Sequence, residues 1–221
     1  MIAREFISDT VPSVKSTDAA GRALDWMNQF KVAQLPIVDQ GRYLGMVTED
    51  DILETTDLSL TVAEIRLGGW ESAAIYEDKH IYEAIRLMSM LKLEVLAVLD
   101  NNDQFQGIIT IRDVLSFLEK LFSIQEPGGV MVVEIPKNGY VLSEIGRIVE
   151  STDAKILSLY LSNKADDTGF IATLKLNVED LSRVVASFER FDYRVIKTFH
   201  KTPQLVDYQK NLDALLNYLD I

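Results

Sequence analysis

An eight-residue pattern occurs twice in this chain, and this duplication constrains the fold more than any other feature. Residues 45–52 read GMVTEDDI and residues 107–114 read GIITIRDV. Both copies run Gly, two apolar residues, Thr, two variable residues, Asp and an apolar residue. A fixed spacing between two similar segments is typical of repeated supersecondary units that pack against each other. The chain therefore contains two copies of one small unit.

The similarity extends upstream of both copies. The apolar positions of one helix face recur after 61 residues: Ala20, Ala23, Leu24, Met27 and Phe30, then Ile81, Ala84, Ile85, Met88 and Leu91. Apolar runs at 35–39 and 96–100 predict buried strands, and runs at 42–47 and 105–110 predict second strands. A helix is expected after each Thr. We predict two βαββα-type repeats, residues 1–62 and 63–124, packed as a pair in an α/β (α+β) protein.

The pattern changes after the segment QEPGG (125–129), whose Pro and paired Gly predict a linker. Apolar runs and alternating apolar residues predict strands over residues 130–201, and apolar spacings of three and four predict helices. The resulting order is βαββαβ, the split βαβ, ferredoxin-like plan. Residues 203–221 place Leu or Tyr at spacings of three and four, which predicts an amphipathic C-terminal helix.

Composition limits the functional classes. The chain has no Cys, and its N-terminus has no apolar run of signal-peptide length. Its net charge is −12, most of it in the first 125 residues. An acidic surface repels nucleic acid and anionic membranes. We expect a cytoplasmic protein with no nucleic-acid partner and no membrane association.

Each repeated cassette admits two interpretations. Thr48 and Asp51, like Thr110 and Asp113, have the spacing of a capping box, in which each side chain satisfies an amide at a helix start. The same helix start suits a phosphate, and the Asp suits ribose hydroxyls, so the cassettes also fit a nucleoside phosphate. Arg112 is either a phosphate ligand or a solvated surface side chain. Glu49 and Asp50 add negative charge to the first cassette, so the second is favoured for a charged nucleotide.

The two cassettes, with LPIVD (35–39) and LAVLD (96–100), resemble a pair of cystathionine-β-synthase (CBS) motifs, together a Bateman module. This resemblance implies an adenosine nucleotide, or a larger adenosyl compound, as a regulatory ligand, with Mg²⁺ accompanying ATP and no cofactor required. Thr would contact phosphate and Asp the ribose. The residues that match the motif are Pro36, Gly45, Thr48, Asp51, Gly107, Thr110, Arg112 and Asp113.

Residues 130–201 resemble the ACT family, which has the same βαββαβ order. The resemblance implies an amino-acid site at the loop PKNGY (136–140), with Asn138 and Gly139 as candidates; a plain turn with a helix cap explains the same residues. A CBS pair followed by an ACT domain resembles the architecture of acetoin-utilisation AcuB-type proteins.

These patterns favour a regulatory ligand-sensing protein that forms a homodimer and acts on a protein partner. The alternative is a non-catalytic interaction module whose cassettes are only helix caps. An enzyme is not expected, because the chain has two His, no Cys, and no GxGxxG, P-loop or HExxH motif.

Overall fold

A computed structural model of the protein describes residues 1–65, 67–68, 73–136, 141–164 and 169–199. The chain divides into a first unit, Met1–Phe117, and a second unit, Leu118–Ile221. The predicted C-terminal helix at 203–221 lies outside the described residues, as do Asn138 and Gly139. Within the described part of the chain, no helix is long and apolar enough to cross a membrane, and no group of three or more His, Asp or Glu side chains could hold a metal ion.

The first repeat contains both predicted strands and both predicted helices. A short 3-10 helix, Ala3–Phe6, precedes them. The elements are α1 (Ala20–Phe30), β1 (Gln34–Asp39), β2 (Arg42–Thr48) and α2 (Glu49–Leu53). α1 buries Ala20, Ala23 and Met27, the face that the apolar spacing predicts.

The second repeat contains a complete βαββα unit. Its elements are β3 (Ala74–Tyr76), α3 (Ile81–Leu91), β4 (Val95–Leu99), β5 (Phe105–Thr110) and α4 (Ile111–Leu121). β3 pairs in parallel with β4, and β4 pairs antiparallel with β5.

The first repeat differs from this prediction at its opening strand, which is reduced to one parallel bridge between Val14 and Ile37. The Val14 N–H donates to the Pro36 carbonyl at 2.9 Å. The next N–H on that side would belong to residue 12, which is Pro and has none. At the other end, the Ser16 N–H is taken by the Asp39 side chain at 3.1 Å. The ladder therefore cannot extend in either direction.

The hairpin turns explain why the repeat spacing changes from 61 to 62. β1 and β2 are joined by Gln40 and Gly41, both with positive φ (51° and 81°), as a two-residue type I′ turn requires. In the second hairpin, Asp100 accepts the N–H groups of Asn102 and Gln104 and holds a loop that is one residue longer.

The spacing of Gly and Thr is the same in both cassettes because of the backbone geometry of the two hairpins. A β-bulge interrupts each hairpin beside the cassette glycine, opposite Ile37 and Val98. Gly45 and Gly107 have φ of 147° and 144° there. Residues with a Cβ rarely adopt such φ values. The two glycines therefore permit the bend that leads each strand into its Thr.

The second unit has the order and sheet of the split βαβ plan. Its elements are β6 (Val130–Pro136), α5 (Leu142–Glu150), β7 (Ile156–Asn163), β8 (Gly169–Leu176), α6 (Ser182–Arg190) and β9 (Arg194–Phe199). The four strands form an antiparallel sheet in the order β7-β8-β6-β9. The core contains alternate residues of the central strands, among them Met131, Val133 and Leu174, packed with Phe188 of α6. Membership of the ACT family stays a prediction.

Tyr193 gives this second unit an expected alkaline dependence of stability. Its buried hydroxyl donates to Glu144 Oε2 at 2.7 Å, and burial together with this bond raises the pKa of Tyr193 to about 12. An unfolded tyrosine titrates near pH 10. Between about pH 10 and pH 12 the unfolded chain therefore loses this proton first, and the free energy of unfolding is expected to fall, by roughly 1 kcal/mol. Urea unfolding followed by far-UV circular dichroism at about pH 9 and pH 11.5 measures this change.

The matched variant is Tyr193→Phe, which keeps the ring and removes the proton. It is expected to cost about 1 kcal/mol at neutral pH, from the lost hydrogen bond. It should also show a smaller fall in stability at high pH than the unsubstituted protein. Equal falls in both proteins would exclude Tyr193 as the source.

Candidate functional site

Each cassette joins a buried strand end to a helix start through a reciprocal cap. In the first cassette, the Thr48 N–H and hydroxyl both donate to Asp51 Oδ2, at 2.9 and 2.7 Å. The Asp51 N–H donates back to the Thr48 hydroxyl at 3.1 Å. The capping box that the spacing predicts is therefore present.

The second cassette repeats this geometry. The Thr110 N–H and hydroxyl donate to Asp113 Oδ2 at 2.8 and 2.6 Å, and the Asp113 N–H donates to the hydroxyl at 3.2 Å. In both cassettes the single hydroxyl proton of Thr points to the Asp carboxylate. A Thr hydroxyl that donates to a phosphate would first have to turn away from its Asp.

The second oxygens of the two Asp carboxylates differ. Asp51 Oδ1 accepts the backbone N–H of Gly68, which lies in sequence between α2 and β3, at 3.0 Å. Asp113 Oδ1 accepts no hydrogen bond from any residue that the structure describes. Of the two capping Asp residues, Asp113 therefore has an oxygen without a donor among the described residues, and Asp51 does not.

Two of the cavities beside the cassettes contain a cassette Thr, and each of these two is built by both repeats. Cleft A has a volume of about 260 Å³ and cleft B of about 370 Å³. The lining of cleft A includes Phe30, Lys31, Val32, Glu94, Thr110 and Arg112. The lining of cleft B includes Thr48, Glu49, Asp50, Asp51, Gly68 and Lys92. Asp113 is not one of the lining residues of cleft A, but its Oδ2 accepts a hydrogen bond from the hydroxyl of Thr110, which is one of them.

Lys31 and Lys92 are residues of the two clefts that the motif alone does not indicate. Each ends a helix in the left-handed conformation, with φ of 57° and 55°, and donates its N–H to the carbonyl of Met27 or Met88. They lie 61 positions apart, so the repeat spacing was the signal that could have found them. Each lines the cleft that contains the other repeat's cassette.

The side chains of cleft A carry less negative charge than those of cleft B. Cleft A contains two cations, Lys31 and Arg112, and one lining carboxylate, Glu94. Cleft B contains Lys92 but also Glu49, Asp50 and Asp51, all in the first turn of α2. A dianionic group is therefore repelled in cleft B, whose three carboxylates outnumber its one lysine. In cleft A, Lys31 and Arg112 offset Glu94 and the nearby Asp113.

Glu94 connects the two repeats at cleft A. Its carboxylate accepts the Ala33 N–H at 2.9 Å, and its own N–H donates to the side-chain oxygen of Gln34 at 3.0 Å. These bonds fix an acceptor group in the wall of the cleft, next to the apolar side chains of Phe30 and Val32.

The other predicted site residues that the structure describes have a role in the strands. Pro36 is buried within β1, and Gly45 and Gly107 occupy the bulges of β2 and β5. Their direct contact with a ligand stays a prediction, as do the roles of Asn138 and Gly139.

The comparison with known protein families agrees with this duplicated geometry. The CBS domain family matches the chain twice, at residues 3–56 and 71–120. The chain contains a tandem pair of CBS domains. CBS pairs are generally regulatory, mostly non-enzymatic modules and often bind adenosine ligands.

Proteins similar to this chain share the CBS part. An inosine-5'-monophosphate dehydrogenase from Methanocaldococcus jannaschii is 29% identical over 114 residues, which are 51% of this chain and 23% of that enzyme. A CBS domain pair/ACT domain protein from Thermotoga maritima superimposes with a TM-score of 0.48 at 22% identity, covering 53% of this chain and 96% of the other. An acetoin utilization protein (AcuB) from Vibrio cholerae superimposes with a TM-score of 0.48 at 20% identity, covering 57% and 95%.

Proposed function

We propose that the CBS pair binds an adenosine nucleotide in cleft A and that this ligand is regulatory. The observation that carries the proposal is the joint placement of two cations, Lys31 and Arg112, with a carboxylate whose second oxygen has no described donor. Lys31 of the first repeat and Arg112 of the second line cleft A, and Asp113 of the second repeat is bonded to Thr110, another lining residue. A ligand that contacts all three therefore joins the repeats.

The phosphate end would lie at the start of α4. Among the first N–H groups of this helix, that of Ile111 donates to the Glu94 carbonyl at 2.9 Å and that of Asp113 to Thr110. The Arg112 N–H has no partner among the described residues. This N–H, the helix dipole and the Arg112 guanidinium all favour an anion at this position.

The nucleoside would extend into the rest of cleft A. Asp113 Oδ1 can accept a ribose hydroxyl without losing its cap, because the cap uses only Oδ2. Phe30 and Val32 provide an apolar wall for a base. The Glu94 carboxylate provides an acceptor for an exocyclic amino group, which adenine has. These contacts favour an adenosine nucleotide over a bare anion.

Thermal unfolding with added ligands tests the proposal. AMP, ADP and ATP, the last with and without Mg²⁺, are compared with adenosine and inorganic phosphate. A nucleotide at about 100 times its Kd is expected to add roughly 2.7 kcal/mol to the free energy of unfolding, which raises Tm visibly. Asp113→Asn is expected to reduce this rise strongly, since Asn keeps an oxygen for the Thr110 cap but loses the second acceptor oxygen.

The outcomes separate the two functional classes. A rise in Tm that needs Asp113 supports a nucleotide sensor. No rise with any adenosine compound at millimolar concentration would contradict the proposal and favour the interaction module, in which both cassettes are helix caps.

The proposal assigns the second unit a second effector or a dimer contact, and it expects a regulated protein as the partner. The assignment to the second unit rests on the resemblance of residues 130–201 to the ACT family.

A further inference from the structure

We infer that the backbone N–H of Gly68, which lies in sequence between α2 and β3, closes cleft B to nucleotides, so that each chain takes one nucleotide and takes it in cleft A. This inference rests on the proposed function and specifies its stoichiometry. The recurrence of Gly, Thr and Asp in both cassettes would by itself favour two equivalent sites.

The first argument is the hydrogen-bond saturation of Asp51. Its Oδ2 accepts two donors from Thr48, and its Oδ1 accepts the Gly68 N–H at 3.0 Å. A ribose hydroxyl could bind to Asp51 only by displacing one of these donors. If Gly68 were displaced, its N–H would have to find a new acceptor, which offsets most of the gain. Asp113 requires no such exchange.

The second argument is charge. A phosphate at the start of α2 would face Glu49, Asp50 and Asp51, with Lys92 as the one cation that lines this cleft among the described residues. In addition, α2 has five residues, whereas α4 has eleven, so α2 provides a weaker dipole.

Volume alone favours the opposite assignment, because cleft B is larger than cleft A, about 370 against 260 Å³. Room for a ligand therefore does not limit cleft B. Its closure is chemical: the acceptor that a ribose needs is occupied, and the field at the phosphate position is repulsive. This distinction determines how the inference is tested.

Titration calorimetry with AMP on the full chain gives the first result. The unsubstituted protein is expected to bind one AMP per chain. Asp113→Asn should weaken AMP binding by about tenfold or more, as expected for loss of a hydrogen bond to a charged acceptor. Asp51→Asn, the same change in the other cassette, should alter the AMP affinity by less than about twofold. Both variants keep an amide oxygen for the Thr cap, so both should fold.

A pair of Gly68 variants tests the closure itself. Gly68→Pro removes the N–H that occupies Asp51, and Gly68→Ala retains it. Adenosine is the probe, because it carries no phosphate to be repelled by the acidic side chains of cleft B. Gly68→Pro should bind two adenosines per chain and Gly68→Ala one, with circular dichroism confirming that both variants are folded.

The experiments distinguish a failure of this inference from a failure of the proposed function. Two AMP molecules per chain in the unsubstituted protein, or equal losses in Asp51→Asn and Asp113→Asn, would overturn the inference and leave the proposed function intact. One adenosine per chain in a folded Gly68→Pro protein would also overturn it. No binding of AMP or adenosine to any variant would overturn the proposed function, and the inference with it.

Discussion

Replacing Gly107 with Ala is expected to lower the free energy of unfolding of the first unit by about 2–4 kcal/mol, a large part of a typical domain's stability. Two effects add. The φ of Gly107 is 144°, which a residue with a Cβ adopts only with strain. A Cβ there would also lie 2.5 Å from Cγ2 of Ile7, so this side chain would have to move.

Intrinsic tryptophan fluorescence measures the loss of stability of the first unit. The two tryptophans, Trp26 and Trp70, both belong to the first unit. Gly107→Ala should therefore shift the fluorescence-detected urea midpoint to lower concentration. The control is Gly146→Ala, in α5 of the second unit, where nothing lies within 4 Å of an added Cβ. There Ala should stabilise its helix by about 0.5–1 kcal/mol and leave the fluorescence midpoint unchanged.

A double-mutant cycle separates the strain from the clash. Ile7→Ala removes the methyl group that the new Cβ would meet. In that background Gly107→Ala should cost only the backbone part, about 1–2 kcal/mol. An unchanged cost would show that the contact with Ile7 contributes nothing. A cost near zero for Gly107→Ala in the otherwise unsubstituted chain would contradict the assigned backbone geometry.

Local pattern predicts the elements of this chain well, because each repeat supplies its own periodicity. The face of α1, the capping boxes and the order βαββαβ all follow from residues close together in sequence. The lost opening strand of the first repeat also has a local cause, Pro12, but only the pairing with β1 shows that an N–H is needed at that position. The reason for the glycine spacing could not be predicted either, because a β-bulge depends on how two strands pair.

The clefts are less predictable because they are formed between the repeats. Periodicity places Lys31 after a helix and does not reveal that it shares a cavity with Thr110 and Arg112. The Gly68 N–H likewise has no sequence signal, since any residue except Pro could donate it. The charges of Glu49, Asp50 and Arg112 let the sequence favour the second cassette for a charged nucleotide. The different hydrogen bonding of Asp51 and Asp113 is seen only in the tertiary structure.

The largest expected effect on ligand binding comes from removing both cations of cleft A. Lys31→Met combined with Arg112→Met should weaken AMP binding roughly a hundredfold, because each charge-assisted contact with a phosphate contributes about 1.5 kcal/mol. Met keeps most of the apolar stem of each side chain and removes the charge. Adenosine has no phosphate, so its affinity should change by less than about twofold. Titration calorimetry of both ligands against this variant measures the difference.

Lys92→Met is the matched control, since Lys92 ends α3 in the same left-handed conformation as Lys31 ends α1 and lines the other cleft. It should leave AMP binding almost unchanged. The unsubstituted protein should also lose AMP affinity as salt is raised, and the double variant should lose much less, because salt screens the exposed charges that the variant lacks. If AMP and adenosine weakened equally, Lys31 and Arg112 would be shaping the cleft and not binding the phosphate. If Lys92→Met weakened AMP as much as Lys31→Met alone, the nucleotide would occupy cleft B as well.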